Sequence, residues 1–339
     1  MNKLNNHFDI TNKQLSLYRF SIPFKKAINF KGQQLKTREG LWLVEQQSQG
    51  PDIIGEMSPL PGFSQETLAE CEAQILTLLQ QKNTLDFSDL LASVSFALFC
   101  LQQQIPWNNE SINTTKLNNI PLLQGNLSEI IKRYQLLNSP KQVKLKVARV
   151  SAIEDIAIIQ SLITINPDIR FRLDANQQWS LKQYTSFLTA IDGQYLNNID
   201  YIEEPTASLT DNIALSEKFN VKIGLDESLL CNPILPTSPC IKAFIIKPTL
   251  IGDMARIKTL LKHAQQQQLE VSVSASFESP IALKQLHYLA LQWQQEFQLP
   301  IHLGLDTLAA FDDPIATKNT HDTNLITHLL TQATCLWHS

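Results

Sequence analysis

Lys144 and Lys146, in Lys144-Leu145-Lys146, open the series of side chains best suited to chemistry. Asp174 follows, then Glu203 in Glu203-Glu204-Pro205, Asp226 in Asp226-Glu227-Ser228, and Lys247 before Pro248. From Lys146 onward, 28, 29, 23 and 21 residues separate successive members. Each interval matches a strand plus a crossover helix and its loops. One charged residue at a strand end is ordinarily a solvated rim charge or a helix cap, and Asp226 before Glu227-Ser228 fits a cap. The ordered series Lys, Asp, Glu, Asp, Lys at repeated spacing does not reduce to that. Strand side chains alternate with period two, so Lys144 and Lys146 share a face, as do Arg172 and Asp174. Leu145, Val147 and Leu173 suit an outward face packed on helices, which turns the charged residues inward.

Three converging carboxylates repel one another unless a cation joins them. Asp174, Glu203 and Asp226 offer only oxygen, the donor set of a hard divalent cation such as Mg²⁺. A lysine desolvated beside such a cation loses proton affinity and becomes a general base. Bringing its pKa from about 10.4 to about 7.5 takes roughly 4 kcal/mol of differential interaction. The cation also stabilises the enolate-like charge left when a proton departs from carbon beside a carboxylate.

These residues need a frame. From about residue 119, apolar runs (120–123, 143–147, 169–173, 199–202, 221–225, 241–246, 271–273 and 301–305) alternate with amphipathic segments such as 154–165, 181–191, 253–267 and 281–297. Eight strand–helix alternations predict parallel βαβ units. Neither G-x-G-x-x-G nor G-x-x-x-x-G-K-[ST] occurs, so a closed α/β barrel is expected rather than an open nucleotide-binding sheet. Barrel active sites form at the carboxyl ends of the strands, where the charged series falls, with Ser274 and Ser276 ending the seventh run. Upstream, strand-like stretches 14–24, 37–45 and 52–57 precede helices expected over 64–81 and 86–103, an α+β unit. The expected division is an α+β cap over 1–106, a barrel over 107–310, and a segment over 311–339 packing back on the cap.

Composition narrows the function. The 339 residues carry 28 Lys+Arg against 32 Asp+Glu, a net charge of −4, with no dense basic block. That excludes the electrostatic footprint of a nucleic-acid binder. The longest apolar stretch, 90–101, is too short to span a bilayer and reads as a buried helix. Residues 1–13 are polar and show no secretory signal. Cys71, Cys100, Cys231, Cys240 and Cys335 form no C-x-x-C pair and read as reduced thiols of a cytoplasmic protein. Histidines such as His263, His287 and His302 lack metal-ligand spacing.

Lys144-Leu145-Lys146, Arg172-Leu173-Asp174-Ala175-Asn176, Glu203-Glu204-Pro205, Asp226-Glu227-Ser228 and Lys247-Pro248-Thr249 resemble the enolase superfamily, muconate-lactonizing subgroup. More narrowly, Thr37-Arg38-Glu39-Gly40, the segment 55–67 and Gly304-Leu305-Asp306-Thr307-Leu308 resemble the o-succinylbenzoate synthase family. The resemblance spans about residues 15–310. It implies a modified TIM barrel, (β/α)7β, under an N-terminal α+β capping domain. It implies Mg²⁺, replaceable by Mn²⁺, on Asp174, Glu203 and Asp226. Lys146 is then the base and Lys247 the cation opposite it, with Lys144 lowering the base's pKa. The implied reaction is a syn-dehydration in menaquinone biosynthesis, through an enediolate. Arg172, Ser276 and Gly304 become candidate contacts to a small carboxylate substrate, with cap segments 23–34 and 61–64 closing over it. A monomer or small homo-oligomer is expected, with neither nucleic acid nor membrane as partner. Two alternatives stay open: an N-succinylamino acid racemase using the same lysine pair, and a non-catalytic barrel that binds carboxylates. A dipeptide epimerase fits less well, because Gly304 stands where that group has the first acid of Asp-x-Asp.

Overall fold

The computed structural model describes residues 7–30, 32–81, 84–86, 89–107, 117, 119–231, 236–312 and 324–339. The cap begins with β1 (His7–Asp9), β2 (Leu15–Phe30), β3 (Gln33–Glu45) and β4 (Ile53–Met57), then α1 (Leu68–Gln81), β5 (Thr84–Asp86) and α2 (Ala92–Gln102). β2, β3 and β4 form an antiparallel meander, and β1 pairs with β5. The first two strands of the meander run further than their patterns predict, to a hairpin tip at Phe30 and Gln33, with a register irregularity between Pro23 and Ile28. The second cap helix starts at Ala92, six residues later than expected, because 84–86 is a strand and 89–91 are not helical. α2 is buried from Ser93 to Leu101, which accounts for its continuous apolar sequence.

The barrel follows: β6 (Leu122–Leu123), α3 (Leu127–Leu136), β7 (Gln142–Lys146), α4 (Ala152–Ile165), β8 (Arg170–Asp174), α5 (Leu181–Ala190), α6 (Gly193–Leu196) and β9 (Ile199–Glu203). It continues with α7 (Leu209–Phe219), β10 (Ile223–Leu225), α8 (Glu227–Cys231), β11 (Ile241–Ile246), α9 (Pro248–Ile251), α10 (Met254–Gln267), β12 (Glu270–Ser274), α11 (Pro280–Phe297) and β13 (Ile301–Gly304). Among the described residues, β6 to β13 form one parallel sheet in sequence order. Asn119 bridges Leu303, and the Ile120 N–H donates to the Leu303 carbonyl at 3.0 Å, which brings the first strand against the last. Capping boxes at Asn126, Ser151 and Ser180 satisfy the free N–H groups that start α3, α4 and α5. These boxes fix where each crossover helix begins and hence the length of loop left above each strand.

The period-two pattern sorts the barrel side chains. Val143, Leu145, Phe171 and Leu173 are fully buried against the surrounding helices, while Tyr201, Ala243 and Ile245 cluster in the interior. Gly224 lies beside them, and a Cβ there would meet the Tyr201 ring and Ile245 at 2.9 Å, so this inward position has no room for a side chain. After β13 the chain returns to the cap. The Asp312 N–H donates to the Pro23 carbonyl at 2.9 Å, and beyond α12 (Asn324–Thr331), β14 (Thr334–His338) pairs antiparallel with β2. No helix among the described residues is long and apolar enough to cross a membrane.

Candidate active site

Strand register sets the height of each charged group. Lys146 pairs with Asp174, Asp174 with Glu203, and Glu203 with Gly224, two residues before Asp226. Lys146, Asp174 and Glu203 therefore share one layer at the carboxyl end of the barrel. Lys247 directly follows β11, two residues beyond the inward Ile245. Lys144, Arg172 and Tyr201 form the layer beneath.

The geometry draws six of the residues predicted from sequence together. The Lys144 ammonium lies 2.6 Å from Asp174 Oδ2 and 2.8 Å from Glu203 Oε2, reaching up one layer along its stem. The Lys146 ammonium lies 2.7 Å from Asp174 Oδ2 and also donates to Asn176 Oδ1. Lys247 pairs with Asp226 and stands 4.4 Å from the centre of the Phe63 ring, which the cap lowers onto it. Asp174, Glu203 and Asp226 are buried, and so is Glu227. The Asp226 side chain is not a helix cap, since it receives the Lys247 ammonium.

A pocket opens above these groups. Lys144, Lys146, Asp174 and Asn176 form one side of it, Lys247 and residues 274–277 another, and Gly304, Asp306 and Thr307 a third. Leu60 and Phe63 of the cap close the top. Ser276 and Gly304 thus reach the pocket, and the buried Ser276 Oγ has no hydrogen-bond partner. Arg172 does not reach it. Its guanidinium extends away from the carboxylate layer, donating to Glu270 Oε2 at 3.1 Å, because Glu270 opens β12 at the opposite end of the strand from Ser274. The expectation that Arg172 contacts substrate is corrected accordingly.

Two features escaped the sequence reading. Asn176 holds the Lys146 ammonium, and Glu204 fixes the turn that carries Asp226: its carboxylate accepts from the backbone N–H of Asp226 at 2.9 Å and of Ser228 at 2.8 Å. Both lie in motifs adjacent to a candidate ligand, but adjacency in sequence does not disclose a partner on the neighbouring strand.

Electrostatics separates the two flanking lysines. Burial, helped by the like charge of Lys144, pushes the Lys146 pKa down against the pull of Asp174. Burial opposes charge on Lys247 as well, but Asp226 and Glu227 outweigh it and raise its pKa. Burial pushes Glu203 up to about 7, with Asp174 adding repulsion, and Asp226 up to about 6. Among the described residues no three acidic, histidine or cysteine side chains stand as a ready cation cage, since the Lys144 ammonium bridges Asp174 and Glu203. The donor chemistry nevertheless fits a dication. Asp174, Glu203, Asp226 and Glu227 are buried, and the Glu227 Oε2 atom has no hydrogen-bond partner. This all-oxygen set on adjacent strand ends suits a hard divalent ion.

Comparison with known proteins agrees with this layout. The family described as "MenC, N-terminal domain" matches residues 12–105, and "Enolase C-terminal domain-like" matches residues 128–324. A structure of o-succinylbenzoate synthase from Thermosynechococcus elongatus, complexed with Mg in its active site, superposes with a TM-score of 0.71 at 21% identity, covering 94% of this chain and 99% of that one. The L-Ala-D/L-Glu epimerase of Bacillus subtilis shares the fold at a TM-score of 0.67 and 17% identity, over 89% of this chain and 91% of that one. Cap, barrel and strand-end carboxylates thus define an enolase-superfamily protein. Two sequence relatives narrow this further. The o-succinylbenzoate synthase of Yersinia enterocolitica is 33% identical over 96% of this chain and 99% of its own, and that of Aliivibrio fischeri is 29% identical over 90% and 94%. The chain belongs to the o-succinylbenzoate synthase family.

Proposed function

We propose that this protein is an Mg²⁺-dependent o-succinylbenzoate synthase. It dehydrates 2-succinyl-6-hydroxy-2,4-cyclohexadiene-1-carboxylate to 2-succinylbenzoate in menaquinone biosynthesis. The observation that carries the reading is the placement of Lys146 and Lys247 around a single pocket above Asp174, Glu203 and Asp226, in a chain of this family.

Lys146 Nζ takes the proton from the carbon beside the substrate carboxylate, and the electron pair of that C–H bond moves into an enediolate. The same nitrogen then returns the proton to the hydroxyl group on the same face. The C–O bond breaks, water leaves, and the ring becomes aromatic. Aromatisation makes the second half downhill, so the site's task is to reach the anion. Asn176 aims the Lys146 ammonium, and Lys144 favours its unprotonated form. Lys247, kept charged by Asp226 and Glu227, faces the enediolate as a fixed cation. Asp174, Glu203 and Asp226 would hold the metal, which would supply positive charge to stabilise the enediolate. Ser276 Oγ, free of protein partners, donates to a substrate oxygen, and the absent side chain at Gly304 leaves room for the succinyl arm.

The rival within the superfamily is an N-succinylamino acid racemase, in which both lysines exchange protons with an α-carbon. One assay separates the two. Purified protein with Mg²⁺ is expected to consume the cyclohexadiene, followed by its ultraviolet absorbance. Deuterium exchange into an N-succinyl amino acid without consumption of the cyclohexadiene would select the racemase.

A further inference from the structure

The walls of the pocket come from two domains, and one buried side chain touches both. Arg38, on β3 of the cap, is 2% exposed. Its Nη1 donates to the Pro59 carbonyl at 2.7 Å and its Nη2 to the Ser58 carbonyl. Its Nε donates to the Phe277 carbonyl of the barrel at 3.0 Å. Ser58 and Pro59 lead directly into Leu60 and Phe63, the cap's contribution to the pocket, while Ser276 and Phe277 belong to the barrel's.

Two buried carboxylates complete the arrangement. Glu278 accepts from the Ser276 N–H at 2.5 Å and from Thr249 Oγ1 at 2.5 Å. Glu56, in the cap, accepts from the Ser279 N–H at 3.0 Å, from Ser279 Oγ, and from Ser58 Oγ at 2.8 Å. Ser279 is the N-cap of α11. Three of the four residues from 276 to 279 are therefore tied by a charged side chain, two of them from the cap. Phe277 needs such ties: its φ is +60°, a left-handed conformation that an aromatic residue avoids without outside support. Its ring packs edge-on against Phe24 of the first cap hairpin, with centroids 5.7 Å apart.

We infer that Arg38 is a positioning residue for this site. It sets the gap between the cap wall (Leu60, Phe63) and the barrel wall (Ser276, Phe277), and so determines which organic acids fit between them. The inference rests on the reading of this pocket as the active site. A planar guanidinium presents donors in several fixed directions, and three carbonyls on two segments use them at once. Domain docking alone would not require these bonds to fall on Phe277, which lines the pocket, and on the two residues that lead into Leu60.

Arg38→Lys keeps the charge between Glu56 and Glu278, but a single ammonium lacks the fork that joins both walls. The variant is expected to fold. KM for the cyclohexadiene should rise at least about tenfold while kcat stays within about threefold, since Arg38 touches no group that moves a proton. Glu278→Ala, which removes the acceptor of the Ser276 N–H and leaves Arg38 in place, should raise KM in the same direction. Should Arg38→Lys fail to fold, Glu278→Ala decides. KM within about twofold of the parent in a folded variant would overturn the inference, as would a drop in melting temperature with both constants unchanged. Calorimetric binding of 2-succinylbenzoate is measured in parallel. A parent that binds this compound but does not turn over the cyclohexadiene refutes the functional reading alone, and weakened binding by Arg38→Lys then still supports the inference.

Discussion

Glu204 offers a sharp test of how the site is held, because it is adjacent to a candidate ligand yet serves a different one. Its side chain is 0% exposed and accepts four hydrogen bonds: from Asp226 N, Ser228 N, Ser228 Oγ at 3.0 Å and Gln177 Nε2 at 3.1 Å. Its own φ of +39° is unfavourable for a side-chain-bearing residue, so these bonds also hold a strained turn. Glu204→Ala leaves two buried backbone N–H groups without acceptors, each costing about 1–3 kcal/mol. Adding the cavity, the loss of stability should be about 3–5 kcal/mol. Glu204→Gln retains one carbonyl oxygen for the two N–H groups and should lose only about 1–2 kcal/mol. The turn also carries Asp226, so Glu204→Ala should weaken Mg²⁺ binding about 10- to 100-fold, the usual penalty when the partner of a ligand is removed. Urea unfolding followed by circular dichroism gives the first quantity and calorimetric Mg²⁺ titration the second. A Glu204→Ala protein within about 0.5 kcal/mol of the parent and with unchanged Mg²⁺ affinity would refute the reasoning.

Two further outcomes are expected. A Cβ at Gly304 would lie 2.9 Å from Ser274 Oγ inside the pocket, so Gly304→Val should raise KM by about tenfold with little change in melting temperature, read by steady-state kinetics and calorimetry. Burial, with the positive charge of Arg172, pushes His302 down to about 4 despite Glu270 and Asp200 nearby. An unfolded histidine titrates near 6.5, so between about pH 6.5 and about pH 4 the unfolded chain binds a proton that the folded one refuses. Stability should therefore fall as pH drops through that window, by at most about 2 kcal/mol after allowance for the ring's partial exposure. His302→Gln should remove that increment, measured as the difference in urea midpoints between pH 7 and pH 4.5, and an unchanged difference would contradict it.

Much of this architecture was legible in the chain because its signals are local. The 143–147 and 169–173 runs alternate with period two, and that alternation separated the lysines and Asp174 from the apolar positions that face the helices. The spacing of strand ends then matched positions that the register makes neighbours. What escaped was non-local. β1, β5 and β14 are too short, or too remote from their partners, to show a period of their own. Arg172 shares a face with Asp174, but the period cannot say toward which end of a barrel a long side chain extends, and Glu270 decided it. Asn176, Glu204 and Arg38 act through partners far away in sequence, 30 residues away for the contact of Asn176 with Lys146. The stretch of the first cap loop at residue 31, the side chain of Cys231 and residues 313–323 of the C-terminal segment lie outside the described residues.

The most direct measurement is single-turnover dehydration by Lys146→Ala, with Mg²⁺ and 2-succinylbenzoate binding measured on the same preparation. In the proposed mechanism Lys146 Nζ moves the proton, so turnover should be lost while both ligands still bind within about tenfold of the parent. A folded Lys146→Ala protein that dehydrates the cyclohexadiene at the parental rate would show that the proton travels by another route.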